Sequence, residues 1–416
     1  MEHRAPNIRH LRAFREVARH NSIRRASAEV YLSQPAITQA IAKLEVMVGV
    51  AMFDRRSEGM FVTEPGKLFL ARVDRALNYI TSGTREAARL GQSRGGGATP
   101  NGRGLANLDQ VVTGVQLRAV AVLLETENFS LAARSIGISQ PSLHRAARDI
   151  ERLSGIPLFS ASSRGVTLSP AAKAIAQHAK LAFAELEQGR AEVDEWKGSG
   201  SGRIVIGTMP LARTFVLPTA ILSLMSSHPH VGISVIDGPY DDLLHGLRHG
   251  DIDLLIGALR DPLPVDDVVQ QPLFDDTLMI AARADHPLAA KTDISLGDLA
   301  DFPWIVPRKD TPTRSHFEAM FEGAAQPDHI VEASSLILVT ALILGSDALT
   351  FISAHQIRDE QRAGQMVRLN IDTAATTRPI GITQRRDWQP TATQRKFLGD
   401  LQAAGRQAAL PYSKIE

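Results

Sequence analysis

Two runs of hydrogen-bonding side chains follow the phrase Ser-Gln-Pro, once near the start of the chain and once further along. Residues 33–45 read SQPAITQAIAKLE and residues 139–151 read SQPSLHRAARDIE. Gln39, Lys43 and Arg145 are hydrogen-bonding or cationic side chains, which suit contact with a major groove. The chemistry that these side chains indicate is therefore the binding of nucleic acid.

The first run has the pattern of a short amphipathic helix. Ser33 is a good N-cap, Pro35 falls in the first turn, and Gly49 is a stop signal. One stripe of the predicted helix is apolar, and it consists of Ile37, Ile41, Leu44 and Val48. The preceding segment SIRRASAEVYL predicts a shorter helix, so the pair favours a helix-turn-helix whose second helix enters a major groove. An ordinary capped helix in a bundle is the alternative, which the second copy makes less attractive.

The two runs belong to a longer internal repeat. A constant offset of 106 relates the segments from Leu11/Leu117 to Lys67/Lys173 without a gap. The positions that are identical in both copies are Leu11, Arg12, Ala13, Ala26, Ser33, Gln34, Pro35, Ala40, Glu45, Gly49, Phe53, Ser57, Gly59 and Lys67. Two copies indicate a duplicated domain rather than a solenoid.

Charge is distributed unevenly along the chain, although the net charge is only +1. Residues 1–105 hold 17 basic and 9 acidic side chains, residues 106–202 hold 10 of each, and residues 203–416 hold 19 basic and 26 acidic ones. The first segment is thus the one expected to face a polyanion, unless its charge is merely a solvated basic surface.

Two glycine-rich stretches divide the chain. SRGGGATPNGRG at 93–104 predicts a flexible linker, and KGSGSGR at 197–203 predicts a second one. The expected domains are 1–92 and 105–196, each a helix-turn-helix module with a helical extension, and 203–410.

Each module continues into a predicted two-stranded wing. The segments AMFDRRSEGMFVTEPG and PLFSASSRGVTLSPAA place turn residues between short β-prone runs. Arg55 and Arg56 in the first copy and Arg164 in the second are then available for phosphates or a minor groove.

The C-terminal block alternates β-rich runs with helical segments, which favours βαβ units, mostly parallel sheets and two lobes. Ligands of such sheets bind beyond the carboxyl ends of strands, often at helix N-termini. Hydroxyl and guanidinium groups there suit a carboxylate or sugar-like ligand. The expected effector-binding residues are Thr208, Arg213, Thr214, Arg260, Arg308, Thr311, Thr313 and Arg314. Helix caps and surface ion pairs are the alternative interpretation.

Several function classes are disfavoured. The chain has no cysteine, and none of its 13 histidines belongs to an HExxH motif. No P-loop, GxGxxG or GxSxG motif occurs, so we expect no catalytic residue, metal or cofactor, although an enzyme on the two-lobed fold stays formally open. The first residues lack a signal-peptide stretch, and LILVTALIL at 336–344 is shorter than a membrane span. We therefore expect a cytoplasmic protein without a membrane partner.

The motifs SQPA, LE, GVAMF and TEPG, and in the second copy SQPS, IE, GIPLF and SPAA, resemble those of the LysR-type transcriptional regulators. That family carries one such module, so the tandem copy departs from its pattern. The resemblance implies base contacts by Gln34, Thr38, Gln39, Gln140, His144 and Arg145, and phosphate contacts by Lys43, Arg55 and Arg148. The remaining residues of the expected DNA-binding set are Ser33, Pro35, Arg56, Ser139, Pro141, Ser142 and Arg164.

The resemblance extends through the C-terminal block. GTMPLART, GDIDLLIGALR and FPWIVPRKDTPTR are similar to the branch typified by the regulator of a galactose-binding protein. It implies a two-lobed, periplasmic-binding-protein-like (type 2) α/β domain, with lobe one at about 203–272 and 376–405 and lobe two at about 273–375.

The expected protein is a ligand-responsive, sequence-specific regulator with two α-rich winged helix-turn-helix modules and a two-lobed α/β domain. Its expected partners are double-stranded DNA, a small-molecule effector and further copies of itself, as a homodimer or homotetramer. A constitutive architectural DNA-binding protein is the alternative. Two interpretations of the repeat stay open: both modules read DNA, or one of them is a structural spacer. Three arrangements stay open for the long helices at 67–90 and 171–196: they pair within one chain, they pair between chains, or each packs on its own module.

Overall fold

The computed structural model describes residues 7–92, 107–163, 165–199, 202–309 and 311–409. The chain divides into two compact units. The N-terminal unit is Met1–Ile204 with His230–Gly232 and Arg248–Asp251, and the C-terminal unit is the remainder. The predicted linker at 93–104 lies outside the described residues, so the boundaries drawn there stay predictions.

The N-terminal unit contains the same series of elements twice. The first series is α1 (Ile8–His20), α2 (Ile23–Val30), α3 (Gln34–Val48), β1 (Phe53–Arg56), β2 (Gly59–Val62) and α4 (Glu64–Gln92). After a short helix α5 (Leu108–Val111), the second series is α6 (Gly114–Thr126), α7 (Phe129–Ser135), α8 (Gln140–Ser154), β3 (Phe159–Ser162), β4 (Gly165–Leu168) and α9 (Pro170–Trp196). Both strand pairs are antiparallel hairpins, so each series has the order of a winged helix-turn-helix.

The repeated serines and glycines set the ends of α3 and α8. The side chains of Ser33 and Ser139 accept hydrogen bonds from the backbone N–H groups three residues ahead, at 3.4 and 3.3 Å. Gly49 and Gly155 end the helices with φ of 77° and 71°, a left-handed conformation that suits glycine.

A second pair of repeated glycines ties each wing to its module. Gly59 and Gly165 have φ of 140° and 138°. A Cβ atom at Gly59 would lie 2.4 Å from the Asn21 carbonyl oxygen, and one at Gly165 would lie 2.4 Å from that of Glu127. These same two carbonyls accept hydrogen bonds from the residue after each glycine, at 3.0 and 2.8 Å. The hairpin backbone therefore approaches the turn after α1 or α6 too closely for any side chain.

The two modules share one hydrophobic core. A single cluster of buried side chains includes Phe14 and Leu44 from the first series, Leu117 and Ile150 from the second, and Phe69 from α4. Burial of apolar surface thus links the modules, in addition to the chain that connects them.

The C-terminal unit holds two five-stranded sheets. The first has the order β6 (Gly232–Asp237), β5 (Arg203–Thr208), β7 (Leu254–Ala258), β14 (Arg378–Arg385), β8 (Val268–Asp276). The second has the order β11 (Ile330–Glu332), β10 (Trp304–Val306), β12 (Leu349–Ser353), β9 (Leu278–Arg283), β13 (Met366–Arg368). The α-helices are α10 (Val216–Ser227), α11 (Tyr240–His249), α12 (Leu296–Ala300), α13 (Pro312–Met320), α14 (Leu336–Leu344), α15 (Arg358–Arg362) and α16 (Ala392–Ala408). No helix in the described ranges is both long and apolar enough to span a bilayer.

The expectation of mostly parallel sheets was wrong, because both sheets are mixed. β10 is parallel to β11 and β12, and β5 is parallel to β7, but β14 is antiparallel to β7 and β8, and β9 is antiparallel to β12 and β13. Strand β8 of the first sheet passes to β9 of the second through Thr277 alone, so the chain changes sheets here without the helical crossover on which the expectation of parallel strands rested. Strand β8 was not predicted, since it contains Pro272 and lies at the edge of its sheet.

Candidate nucleic-acid interface and effector cleft

The outer face of α3 exposes the residues predicted to read bases. Gln34, Gln39 and Lys43 are exposed, whereas the apolar stripe that includes Ile37 and Leu44 is buried. Thr38 is half-buried and its hydroxyl donates to the Gln34 carbonyl oxygen at 3.0 Å. A shallow depression runs beside this face and is lined by Ile23, Gln34, Pro35, Ala36, Thr38, Gln39 and Ala42. Helix α3 therefore presents amide, hydroxyl and ammonium groups on one side.

Helix α8 presents a different set of groups at equivalent positions. His144 and Arg145 are exposed, and the His144 ring lies 5.0 Å from that of Phe129. The Gln140 side-chain oxygen accepts from the Ser130 hydroxyl at 2.9 Å, which orients the Gln140 amide. The hydroxyls of Ser139 and Ser142 are 2.8 Å apart near the N-terminus of α8. The exposed Ser139, Gln140 and Pro141 complete this face.

Arg148, predicted to contact a phosphate, is bound within its own helix. Its Nη1 atom lies 2.5 Å from Oε2 of Glu151, whose other oxygen accepts the Leu158 and Phe159 N–H groups at 2.8 and 3.1 Å. Burial alone would raise the pKa of Glu151, but these hydrogen bonds, led by that from Arg148, lower it. A phosphate would have to draw Arg148 away from this carboxylate, whereas Lys43 is exposed without such a constraint.

The wing of the first module carries two exposed arginines. Arg55 and Arg56 lie on β1, and the Arg56 guanidinium sits 5.2 Å from the centre of the Phe61 ring and 3.6 Å from Asp54. In the second module the predicted Arg164 lies outside the described residues.

The lobe-one side of the candidate effector cleft lies at the carboxyl ends of β5 and β7. Because these strands are parallel, Thr208 at the end of β5 and Arg260 beyond β7 lie at one sheet edge. Arg260 stacks 4.6 Å from the centre of the Tyr240 ring. The hydroxyl of Tyr240 is buried without a hydrogen-bond partner, and burial raises its pKa. Sequence reasoning missed Tyr240 as a site residue, because its contact with Arg260, 20 positions further along the chain, exists only in the folded structure.

The lobe-two side begins beyond β10. Arg308 is exposed, and its carbonyl oxygen accepts from the Thr311 hydroxyl at 2.9 Å. Thr311 caps α13 by accepting from the Arg314 N–H at 3.3 Å, as the helix-cap interpretation expects. Thr313 accepts a hydrogen bond from Arg378 Nη1 at 3.1 Å.

Three of the predicted effector ligands have partners on other segments of the protein or in their own helix. Arg314 is buried and binds Glu318 at 2.8 Å and Glu332 at 3.5 Å. Arg213 pairs with Asp237 at 3.4 Å. Thr214 donates to the His355 carbonyl oxygen at 2.8 Å and so joins the two lobes. The candidate effector cleft is therefore the set formed by the five other predicted residues and Tyr240, namely Thr208, Tyr240, Arg260, Arg308, Thr311 and Thr313.

The lobe junction also contains an ion pair that the sequence did not indicate. Arg378 at the start of β14 lies 3.4 Å from Asp276 at the end of β8, and Asp276 accepts a hydrogen bond from the Ser353 hydroxyl. Burial raises the pKa of Asp276 despite these partners. The residues are 102 positions apart, so no local spacing could have revealed the pair.

His355 is buried in an aromatic cluster at the same junction. Its ring is 5.2 Å from that of Phe274 and stacks on Phe215 at 6.4 Å, and the Arg358 guanidinium lies 4.3 Å from the Phe215 ring. Burial first, and the charge of Arg358 second, lower the pKa of His355 to about 4. The imidazole is therefore neutral near pH 7.

Comparison with known proteins assigns the family. The protein-family model described as "Bacterial regulatory helix-turn-helix protein, lysR family" matches residues 8–67 and again residues 115–173. The family model "LysR substrate binding domain" matches residues 197–406. The chain belongs to the LysR family of transcriptional regulators. The LysR resemblance and the predicted fold class are thereby confirmed.

Individual relatives agree with this family. The chain is 32% identical over 389 residues to the HTH-type transcriptional regulator GalR of Pseudomonas putida, covering 91% of this chain and 92% of the relative. It is 26% identical to the regulator GbpR of Azospirillum brasilense, covering 69% of this chain and 85% of that one. A full-length OxyR variant from Pseudomonas aeruginosa has a similar fold, with a TM-score of 0.51 and 22% identity, covering 70% of this chain and 94% of that one.

We predict that His355 makes the C-terminal unit less stable in acid. Because its folded pKa is lowered, the unfolded chain binds the proton more tightly, and stability falls as the pH drops from the unfolded pKa of about 6.5 toward 4. Between pH 7 and pH 5 this one group should cost about 2 kcal/mol. The His355→Gln variant should lose correspondingly less stability over that interval in urea unfolding. Parallel pH profiles for the two proteins would refute the assignment.

Proposed function

We propose that this LysR-family regulator binds double-stranded DNA through the outer faces of α3 and α8 and the wing arginines, and that it responds to a carboxylate or sugar-like effector in the candidate effector cleft. Since chromosomal DNA is the proposed target, the proposed location is the cytoplasm. The observation that carries the DNA part is the exposed Gln34, Gln39 and Lys43 on one side of α3.

Charge supports the same face. Residues 1–105 carry 17 basic and 9 acidic side chains, and neutralisation of phosphates contributes much of the affinity for DNA. In this proposal Gln39 forms hydrogen bonds with a base edge in the major groove, and Lys43, one helical turn further along, contacts the DNA phosphate backbone beside that groove. The arrangement thus provides both sequence reading and salt-dependent affinity.

We expect the purified protein to bind DNA from its own upstream region in the presence of random competitor DNA. The Lys43→Ala variant should weaken specific and non-specific binding alike and reduce the slope of log K against log salt concentration by about 1, since it removes one phosphate contact. Fluorescence anisotropy across a salt series measures both quantities.

The matched control is Arg406→Ala, which removes an exposed cation from the C-terminal unit. Equal losses in the two variants would show that Lys43 acts only through net charge. Binding that random DNA abolishes would favour an architectural DNA-binding protein.

The effector part depends on Tyr240 and Arg260. A buried hydroxyl without a partner is costly, and such groups in native proteins call for an explanation. Here the hydroxyl belongs to a ring that stacks on the Arg260 guanidinium at the carboxyl edge of the lobe-one sheet. A bound carboxylate or hydroxyl group would supply the missing partner and meet a positive charge beside it.

The Tyr240→Phe variant should be as stable as the native protein, or up to about 1 kcal/mol more stable, without ligand, because it removes an unsatisfied group. It should bind the effector roughly five- to tenfold more weakly, the effect of one hydrogen bond. Thermal-shift titration with a panel of mono- and dicarboxylates and sugar acids measures both. A ligand that shifts both proteins equally would place the effector away from Tyr240.

We also propose that the partner of the C-terminal unit is a second copy of the same chain. Each sheet has an edge strand with exposed apolar side chains, Val235 and Ile236 on β6 and Ile330 and Val331 on β11. Helices near these strands in sequence expose more, with Leu222 at 66% and Ile337 at 84% exposed. Exposed apolar patches of this kind mark interfaces, and a pair of them on one unit suits a symmetric dimer.

The Ile337→Glu variant should therefore shift the mass in solution toward the single chain, because it places a carboxylate in the proposed interface. Light scattering after size-exclusion chromatography measures this mass. The Leu68→Glu variant alters an exposed leucine on α4 and should leave the mass unchanged. A native protein that is monomeric at micromolar concentration would refute the proposal.

A further inference from the structure

The long helices α4 and α9 pack against each other within the N-terminal unit. Gly83 lies in the second half of α4, and a Cβ there would be 2.6 Å from the Cβ of His178, which lies in the first half of α9. Gly189 lies near the C-terminal end of α9, and a Cβ there would be 2.9 Å from the Cβ of Arg72, which lies in the first half of α4. Residues late in one helix thus meet residues early in the other, so the two helices are antiparallel.

These contacts are reciprocal under the repeat. With the offset of 106, His178 corresponds to Arg72 and Gly189 corresponds to Gly83. Gly83 contacts His178, and Gly189 contacts Arg72, so the two contacts are equivalent. The same holds for an ion pair: Arg72 binds Glu192 at 2.6 Å, and the corresponding pair, His178 and Glu86, is 3.8 Å apart.

A third contact completes the pattern. Arg72 binds Glu185 at 2.9 Å, and the copy of this pair is the ring contact of His178 with Tyr79 at 6.3 Å. Reciprocal pairing of this kind is the signature of a two-fold axis. The two modules are therefore related by an approximate internal two-fold between α4 and α9.

The side chains at this junction favour pairing of unlike helices. Arg72 faces two carboxylates, Glu185 and Glu192, because α9 is its partner. A second α4 helix would offer Glu86 and the uncharged Tyr79 at the corresponding positions. Since Arg72 and Glu185 are each 4% exposed, the extra carboxylate acts where water screens little. A pair of α4 helices from two chains would lose it.

We propose that one chain acts as an asymmetric two-module DNA reader and binds two unlike half-sites in inverted orientation. The symmetry of a DNA site mirrors the symmetry of the protein that reads it, and the internal two-fold places α3 and α8 in inverted relation. Their reading residues differ, with Thr38 and Gln39 in one and His144 and Arg145 in the other. The two arms of the site should therefore be inverted in direction and different in sequence. This inference rests on the proposed DNA-reading function.

The test is selection of bound sequences from a random DNA library by the full-length protein and by the Gln39→Ala and Arg145→Ala variants. The native protein should enrich two inverted, non-identical arms with centres about 10 base pairs or a multiple apart. Each variant should lose sequence preference in one arm only, and the two variants should lose it in opposite arms.

The contrary outcomes are separable. A motif of two arms in the same direction would overturn the inverted arrangement and leave DNA reading intact. Loss of the same arm, or of both arms equally, in the two variants would overturn the assignment of one arm to each module. Failure of the native protein to enrich any motif would refute the proposed function, and the inference with it.

Cross-linking tests whether the reader is one chain. The native chain has no cysteine, so Glu86→Cys with His178→Cys, which replaces two side chains 3.8 Å apart across α4 and α9, creates a single possible pair. Treatment of the dilute double variant with a short bismaleimide should give a cross-linked single chain on a denaturing gel, whereas a cross-linked dimer would show that the helices pair between chains. The single variants, which should not cross-link within a chain, are the controls.

Discussion

The buried guanidinium of Arg72 is the interaction on which the N-terminal unit depends. It binds Glu185, Gln188 and Glu192 between α4 and α9, and only 4% of its side chain is exposed. Burial alone would lower the pKa of Arg72, but the hydrogen bonds that it donates to Glu192 and Glu185 raise it. A buried charge network contributes little net stability but strongly disfavours arrangements that leave one member unpaired. We infer that it selects which helices pair, and thus how the two modules are oriented.

Close packing accompanies this selection. A glycine inside a helix costs roughly 1 kcal/mol relative to alanine, yet Gly83 and Gly189 occupy equivalent positions in α4 and α9. Each lies against a side chain of the opposite helix, so their lack of a Cβ allows the close approach. Because the modules also share one hydrophobic core, the two copies form one packed unit. Thr38 and Gln39 therefore differ from His144 and Arg145 on the outer faces of equivalent helices within a single packed unit.

Side-chain hydrogen bonds connect the two lobes of the C-terminal unit. Thr214 joins the lobes by its hydrogen bond to His355, and Arg378 contacts both Asp276 and Thr313. Thr313, one of the residues that could hold an effector, takes part in the contact with Arg378. An effector bound at Thr313 would therefore act directly on a contact between the lobes, and a ligand that binds one arrangement of the lobes better than another shifts the protein toward it.

The sequence by itself determined the two module copies, the α3 and α8 ends, the wings and most strands of the C-terminal unit. The reason is that helix caps, turn glycines and apolar periodicity act over a few residues, so they can be recognised from the order of the residues in the chain. It also identified the exposed faces of α3 and α8, because an apolar stripe defines its opposite side. Only the tertiary structure decided the partner of α4, the mixed sheets, the pairing of Arg148 with Glu151 and the structural use of Arg314. It also revealed Tyr240 and His355 as buried groups. These features arise from contacts between distant segments, where burial, charge pairing and space are set by the packed neighbours.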